Sequence, residues 1–327
     1  MIAAPHPAGG SPGPRPAGWK LGVAFAIVYL GYGLNFLAVK VGVETLPAFL
    51  FAGTHILGAG ILIAAWSQLT GRMRIPHAVT VRRAAIAAFF LFVGGVGLVT
   101  EGEKLGVPSG VAAIIKASVP LWVAVIESLR ARGDRPNALM VCGLVLGAVG
   151  VAALVVPRLE GSGAGGLGTA LLLLSALLFA CGTVFVRHRP PSGSTAEGVW
   201  LMMVLGGGYL LLGGTLLGEW GAVEAADFGA RTWMALGFLL FVHSLAAFSA
   251  MNWLLRHLSA AAVTTKFYVS PAIAVLAGWA VLGEPVGIAT LASLALILCG
   301  VGAVLWGESR KQVAPALQAD DQDELEV

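Results

Sequence analysis

Ten apolar stretches, each close to the length of a membrane-crossing helix, constrain this chain more than any other feature. Breaks at charges, prolines and glycine clusters place them at about 19–39, 46–69, 83–102, 107–129, 138–157, 167–187, 197–217, 231–252, 258–282 and 286–306. A helix needs roughly 20 predominantly apolar residues to cross the hydrocarbon core of a bilayer. Inside lipid the backbone must satisfy its own polar groups, and stretches of this length do so as α-helices. Charged residues make up 11% of the chain, against about 25% in a typical soluble domain, so a charged coat facing water is excluded. The expected fold class is all-α integral membrane, with ten transmembrane helices in a lipid bilayer.

The connections are short and leave no room for a separate soluble domain. Residues 1–18 are rich in Pro, Gly and Ala and lack the basic and apolar order of a signal peptide. They are expected to form a disordered cytoplasmic tail. Residues 308–327 form a second cytoplasmic tail, whose acidic end, Asp320 to Glu326, is also expected to be disordered. Loop lysines and arginines mark the cytoplasmic side of a membrane protein. With both termini inside, fourteen of the 20 Lys and Arg fall on the cytoplasmic side, and only Lys40, Lys104, Arg158 and Arg231 on the other. This predicts a multi-pass protein of the bacterial inner membrane with cytoplasmic N- and C-termini. A net charge of +3 without a basic stripe gives no nucleic-acid partner. Cys142, Cys181 and Cys299 lie singly in apolar runs, without disulfide or metal spacing, and read as packing residues.

The two halves resemble each other. Val107-Pro-Ser-Gly-Val-Ala-Ala-Ile-Ile-Lys-Ala-Ser-Val-Pro120 returns about 150 residues later as Leu258-Ser-Ala-Ala-Ala-Val-Thr-Thr-Lys-Phe-Tyr-Val-Ser-Pro271. At that shift Lys116 falls on Lys266 and Gly150 on Gly300, while Arg132-Gly-Asp-Arg-Pro136 sits where the second half has Leu282-Gly-Glu-Pro285. The expected organisation is a five-span repeat at 19–157, a linker at 158–166 and a second repeat at 167–307. An odd number of spans makes the second copy enter the membrane from the opposite side. Inverted repeats of this kind are a transporter signature, with the substrate site near midplane between them.

Lys116 and Lys266 are the sharpest chemical feature. Each is placed about ten residues inside a span, where a charge costs roughly 2.5–3.5 kcal/mol on insertion scales and turns to the bundle interior. Pro120 removes the hydrogen bond to the carbonyl of Lys116, and Pro271 frees that of Phe267, so both prolines are expected at helix kinks. Two ammonium groups near one cavity predict binding of an anionic moiety such as a carboxylate or phosphate. The bland alternative is that each lysine snorkels or bridges to Glu101, Glu103 or Glu127. Glu101 and Glu103 close the third span and are candidates for carrying a coupled proton, as is His55 in span 2. His243 in span 8 is a further candidate relay. Asn35 and Tyr268 are candidate cavity contacts.

The residues also carry a family resemblance. Tyr32-Gly-Leu-Asn-Phe36 through Val43-Glu-Thr-Leu-Pro47, Gly106-Val-Pro-Ser-Gly110, Ser118-Val-Pro120, Tyr268-Val-Ser-Pro271 and Leu282-Gly-Glu284 occur in the order and spacing of the EamA-type ten-span exporters. Over nearly all of residues 19–307 the chain resembles this group of the drug/metabolite transporter superfamily, in its YedA-like branch. The resemblance implies a ten-helix bundle of two inverted repeats, with a cavity lined by spans 1, 3, 4, 6, 8 and 9. It places His243 at that cavity, and implies secondary transport of small metabolites, often outward. Branches that carry phosphorylated substrates use basic residues in the cavity. Two departures stand out: Ala52-Gly-Thr-His55 where similar proteins often read Ala-Gly-x-Arg, and lysines at 116 and 266 where YedA-like relatives are usually uncharged.

The function expected is a secondary active transporter that exports a small anionic or amphipathic metabolite by alternating access. A coupled proton, an exchanged solute and a homodimer stay open as partners. No P-loop, H-E-x-x-H or recognisable nucleophile grouping occurs, so neither a cofactor nor an enzymatic activity is expected. Gly163-Ala-Gly-Gly-Leu-Gly168 matches a dinucleotide fingerprint by letter but lies in the linker without a βαβ unit. A lipid flippase is the alternative function, followed by an intramembrane enzyme.

Overall fold

The computed structural model describes residues 17–71, 76–130, 137–160, 164–191, 195–224, 228–258, 263 and 265–325, with the side chains of 158–160, 164, 195–196, 255–256, 268 and 308–325 outside the description. Among the described residues nine helices are long and apolar enough to cross a membrane, joined by one shorter apolar helix. In chain order they are span 1 Gly18–Val43, span 2 Ala48–Leu69, span 3 Ala78–Lys104, span 4 Ser109–Ser128 and span 5 Ala138–Pro157. Span 6 is Gly165–His188, span 7 Glu197–Leu216, span 8 Ala230–Leu254 and span 10 Ile288–Gly307. Span 9 belongs to the helix Lys266–Leu282. Large apolar side chains such as Leu69, Val145, Leu212, Trp279 and Ile288 cover the outer surface, as a lipid solvent requires.

Several boundaries differ from the sequence reading. Span 9 was expected from residue 258; residues 259–262 and 264 lie outside the described residues, Val263 is helical, and Lys266 opens the helix Lys266–Leu282. The expected linker shrinks, because one helix runs Ala138–Glu160 and the next starts at Ala164. Glycines are tolerated in membrane helices where neighbours pack closely. Gly168 shows why: a β-carbon there would meet the Gly102 carbonyl oxygen at 2.8 Å. The last helix runs Ile288–Leu325, through the acidic stretch expected to be unstructured. The N-terminal tail lies outside the described residues up to residue 16.

Which spans touch reproduces the repeat. Spans 2 and 7, and spans 5 and 10, form the two most extensive pairings, and span 4 packs on span 9. Span 1 packs on 8 and 9 as span 6 packs on 3 and 4, and span 2 meets span 8 as span 7 meets span 3. Shifting every number by one repeat maps this set of contacts onto itself. The equivalent spans run antiparallel. Gly53 faces Leu211 while Gly60 faces Val204, and Gly143 faces Val304 while Gly150 faces Ile297. A fold whose equivalent helices run in opposite directions is an inverted repeat.

Small residues set these contacts. A β-carbon at Gly300 would fall 2.6 Å from the Gly143 carbonyl oxygen and 2.6 Å from the Gly147 nitrogen. The Gly143-x-x-x-Gly147 pair thus lets spans 5 and 10 meet backbone to backbone, where van der Waals packing replaces the hydrophobic drive that lipid cannot supply. The largest buried cluster joins Ile114 and Ile115 of span 4, Leu172 of span 6 and Ile297 and Val301 of span 10.

Among the described residues spans 1 and 4 divide, and spans 3 and 8 change helix type. Span 1 divides at Leu34 into Gly18–Gly33 and Asn35–Val43, and span 4 divides at Ser118 into Ser109–Ala117 and Val119–Ser128. Spans 3 and 8 carry π-helical segments, Phe89–Gly97 and Phe238–Ala247. The π segments lie one repeat apart and share Phe92-Val93 with Phe241-Val242. Such segments are rare and concentrate at functional sites.

Candidate functional site

Span 4 is anchored at its start by the other repeat. The Glu284 carboxylate accepts hydrogen bonds from the Ser109 nitrogen at 2.6 Å, the Ser109 hydroxyl at 2.9 Å and the Gly110 nitrogen at 3.1 Å. Free N–H groups and a positive dipole end make a helix N-terminus a ready seat for a carboxylate. Opposite this cap, Gly110 touches Val275 of span 9. The helix ends at Ala117, with the Ser118 hydroxyl donating to the Ile115 carbonyl at 2.6 Å. Pro120 takes the second position of the next segment. A proline fits there because its missing N–H costs nothing in the first turn.

Lys116 is therefore the penultimate residue of a helix, where the negative end of the dipole favours a cation. Its ammonium donates to the Gly95 carbonyl at 3.1 Å and the Ser175 hydroxyl at 3.3 Å. It also lies 4.3 Å from the Phe179 ring centroid, within cation–π range. Gly95 belongs to the π segment of span 3, and Ser175 and Phe179 belong to span 6.

Lys266, one repeat further along, opens its helix where Lys116 closes one, and it meets the equivalent spans. Its ammonium is 4.0 Å from the Tyr32 ring, 5.2 Å from the Phe267 ring and 3.1 Å from the Met251 sulfur. Tyr32 meets His243 edge-on at 5.0 Å, and His243 Nδ1 is bonded to the Gly31 carbonyl at 3.1 Å. Spans 1, 8 and 9 build this seat, and spans 6, 3 and 4 build that of Lys116, each the repeat equivalent of the other. Both ammonium groups rest on an aromatic ring from the span 1 and span 6 pair. They share no contact residue: each turns to its own trio of spans.

The other expected residues divide. Asn35 opens the second segment of span 1, half-buried and three residues past Tyr32. Tyr268 lies outside the residues whose side chains are described. Pro271 sits inside the helix Lys266–Leu282, whereas Pro120 directly follows the break at Ser118. His55 bonds its own helix, Nδ1 to the Phe51 carbonyl at 3.1 Å, with its ring against Phe51. No carboxylate approaches Lys116 among the described ion pairs. Glu127 is engaged by His188 at 2.8 Å, Arg130 at 3.5 Å and Arg187 at 3.7 Å instead. Glu101 is half-buried near Lys104 and Glu219. Glu103 is fully buried, and neither of its carboxylate oxygens has a hydrogen-bond partner among the described residues.

Sequence reasoning missed Gly95, Ser175, Phe179, Tyr32 and Met251 as lysine partners. Tyr32 was visible only as part of a family motif. The doubled Phe-Val of the π segments was the available signal for Gly95, and it points two residues short of it.

A bundle of antiparallel, repeat-equivalent helices carrying two matched polar seats in its apolar interior defines a multi-pass membrane transporter. The chain belongs to the EamA-like transporter family, whose description matches residues 20–156 and again 166–306, one copy for each repeat. It is 30% identical over 303 residues to the uncharacterized inner membrane transporter YedA of Escherichia coli K12, covering 91% of this chain and 95% of that one. It is 23% identical over 290 residues to the "Probable amino-acid metabolite efflux pump" of Salmonella typhimurium, covering 86% and 93%. A solved crystal structure shares the fold with a TM-score of 0.57 and 18% identity, covering 88% of this chain and 96% of its own.

Proposed function

We propose that this protein is a secondary exporter of a small anionic or amphipathic metabolite, working by alternating access across a bacterial inner membrane. The observation that carries the reading is the pair of repeat-related lysines, each held inside the bundle by a ring and neutral contacts, with no carboxylate among its described partners. An intramembrane cation left without a carboxylate is available to an anionic ligand. Residence in the inner membrane follows the name of the Escherichia coli relative, and the lysine and arginine bias gives the orientation with both termini inside. Movement of an amino-acid metabolite would match the Salmonella typhimurium relative, since such a molecule brings a carboxylate.

The test is ligand-induced thermal stabilisation of the purified protein, because binding to the folded state raises apparent stability by mass action. The probes are organic acids, amino acids, phosphorylated metabolites, neutral aromatics and cationic drugs, applied to wild type, Lys116→Ala and Lys266→Ala. Anions stabilise wild type and lose at least half of that shift in each variant. Equal stabilisation of all three proteins by neutral or cationic compounds would sink the anion reading. One observation favours a lipid-handling alternative: an open apolar groove on the outer surface, lined by Ala85, Ile86, Phe89, Phe90 and Tyr209. Lipid scrambling in vesicles that survives both lysine substitutions would select it.

A further inference from the structure

We propose that Glu103 is the proton-binding site of the transport cycle, with Lys40 as its counter-ion and the Glu284 cap on span 4 as the contact its charge controls. The proposal rests on the reading of the chain as a secondary transporter, and adds the coupling ion and the place where it acts.

Glu103 is the penultimate residue of span 3, with none of its surface exposed and both carboxylate oxygens unpartnered among the described residues. Burying an ionised carboxylate without hydrogen bonds is so costly that such a group neutralises instead. The Lys40 cation does not pair with it in this conformation. The Lys40 ammonium of span 1 donates to the backbone carbonyls of Glu103 at 2.6 Å and Val107 at 3.2 Å, not to the carboxylate. A lysine that stays on carbonyls beside a buried carboxyl is the arrangement expected when that carboxyl holds a proton.

The surroundings link this proton to the helix cap. Residues 103–108 form the turn that delivers Ser109 to Glu284, and the Lys40 ammonium clamps the two ends of that turn. Glu284 itself lies within electrostatic reach of Glu103. Loss of the proton to water leaves a carboxylate that draws Lys40 off the two carbonyls and repels the Glu284 carboxylate. Both effects loosen the start of span 4, seven residues before Lys116. The protonated state therefore holds this end of the bundle closed, and release opens it.

The charged groups that face the site are few. Glu101 and Lys104 lie on its own segment, Lys40 comes from span 1, and Glu284 from the connection between spans 9 and 10. Span 6 presents Gly168 and Leu172 at this level. The second repeat carries Trp253 and Pro190 where the first has Glu103 and Lys40, so the pair occurs once and breaks the symmetry that the lysines keep.

The experiment needs no substrate. Infrared spectra are recorded on wild type, Glu103→Gln and Glu101→Gln in phosphatidylethanolamine–phosphatidylglycerol vesicles, from acid to alkaline pH, with backbone hydrogen exchange followed over 105–112. Wild type shows a protonated-carboxyl band at neutral pH, which Glu103→Gln loses and Glu101→Gln keeps. Protection over 105–112, after correction for the base-catalysed rise in intrinsic exchange, falls as pH rises in wild type and stays high in Glu103→Gln, which mimics the protonated form. Should glutamine disturb folding, Glu103→Asp is the second variant, and its band must shift in frequency. A wild type without the band, or a band that persists in Glu103→Gln, overturns the proton site. Loss of the band in Glu103→Gln with wild-type protection over 105–112 indifferent to pH overturns the link to the cap. Failure of the lysine variants with anions would leave these outcomes unchanged, so the two readings fall separately.

Discussion

Gly207→Ala lowers the thermal unfolding midpoint by about 5–10 °C in detergent, while Gly208→Ala next to it leaves the midpoint unchanged or slightly raised. The two glycines are neighbours in span 7, and their environments differ. A β-carbon at Gly207 would meet the Leu57 backbone nitrogen at 2.5 Å and its α-carbon at 2.7 Å, whereas one at Gly208 meets nothing within 4 Å. Backbone atoms of span 2 cannot rotate away, so the helices must separate, and overpacking of this kind costs roughly 1–3 kcal/mol. A loss of that size moves the midpoint by about 2–4 °C per kcal/mol in chains of 150–250 residues, and the long pairing of spans 2 and 7 puts the effect at the upper end. At Gly208 alanine gains up to about 1 kcal/mol of helix propensity. Equal effects at both positions would refute the close approach of spans 2 and 7.

Glu284→Ala destabilises the protein by about 3 kcal/mol, more than Glu219→Ala, and Glu284→Gln falls between wild type and Glu284→Ala. Glu284 receives three hydrogen bonds at the start of span 4, whereas Glu219 receives two at the start of span 2, from the Phe49 nitrogen at 3.2 Å and the Leu50 nitrogen at 2.9 Å. Hydrogen bonds to charged groups contribute about 1.5–3 kcal/mol each, and they do not add fully within one cluster. Glutamine keeps an acceptor oxygen but loses the charge that the helix dipole favours. Denaturation midpoints of the four proteins in one detergent settle the order. If Glu219→Ala proves the more damaging, Glu284 is not the anchor of span 4. The two carboxylates do one job: each comes from a connection in the second repeat and caps a helix of the first.

The lysine pair was legible because charge inside an apolar run is rare and both members fall at one shift of the repeat. Its surroundings were not. Phe179 and Tyr32 are ordinary aromatic residues of membrane helices, and nothing local marks them as rings beneath an ammonium. The contrast between Pro120 and Pro271 was equally hidden. Each removes the same hydrogen bond, but one follows a break at Ser118 and the other lies in a continuous helix. Whether a proline interrupts a helix depends on how neighbouring groups re-satisfy the freed carbonyl.

Glu103 shows the same limit from the other side. In the sequence it stands beside Glu101 and Lys104, in a run that reads as an interfacial end of a span. Folding separates the two acids, leaving Glu101 half in reach of solvent and closing span 6 over Glu103, with Gly102 against Gly168.

The sequence by itself determined the solvent, the helical class, ten spans and their repeat. Those follow from apolar length, charge scarcity and periodic recurrence, which are properties of the chain read in order. Only the tertiary structure decided that the two ammonium groups turn to separate trios of spans, that Glu284 caps a helix of the other repeat, and that Glu103 is sealed. Each of these depends on side chains far apart in sequence meeting within a few ångströms, and that proximity exists only once the helices have packed.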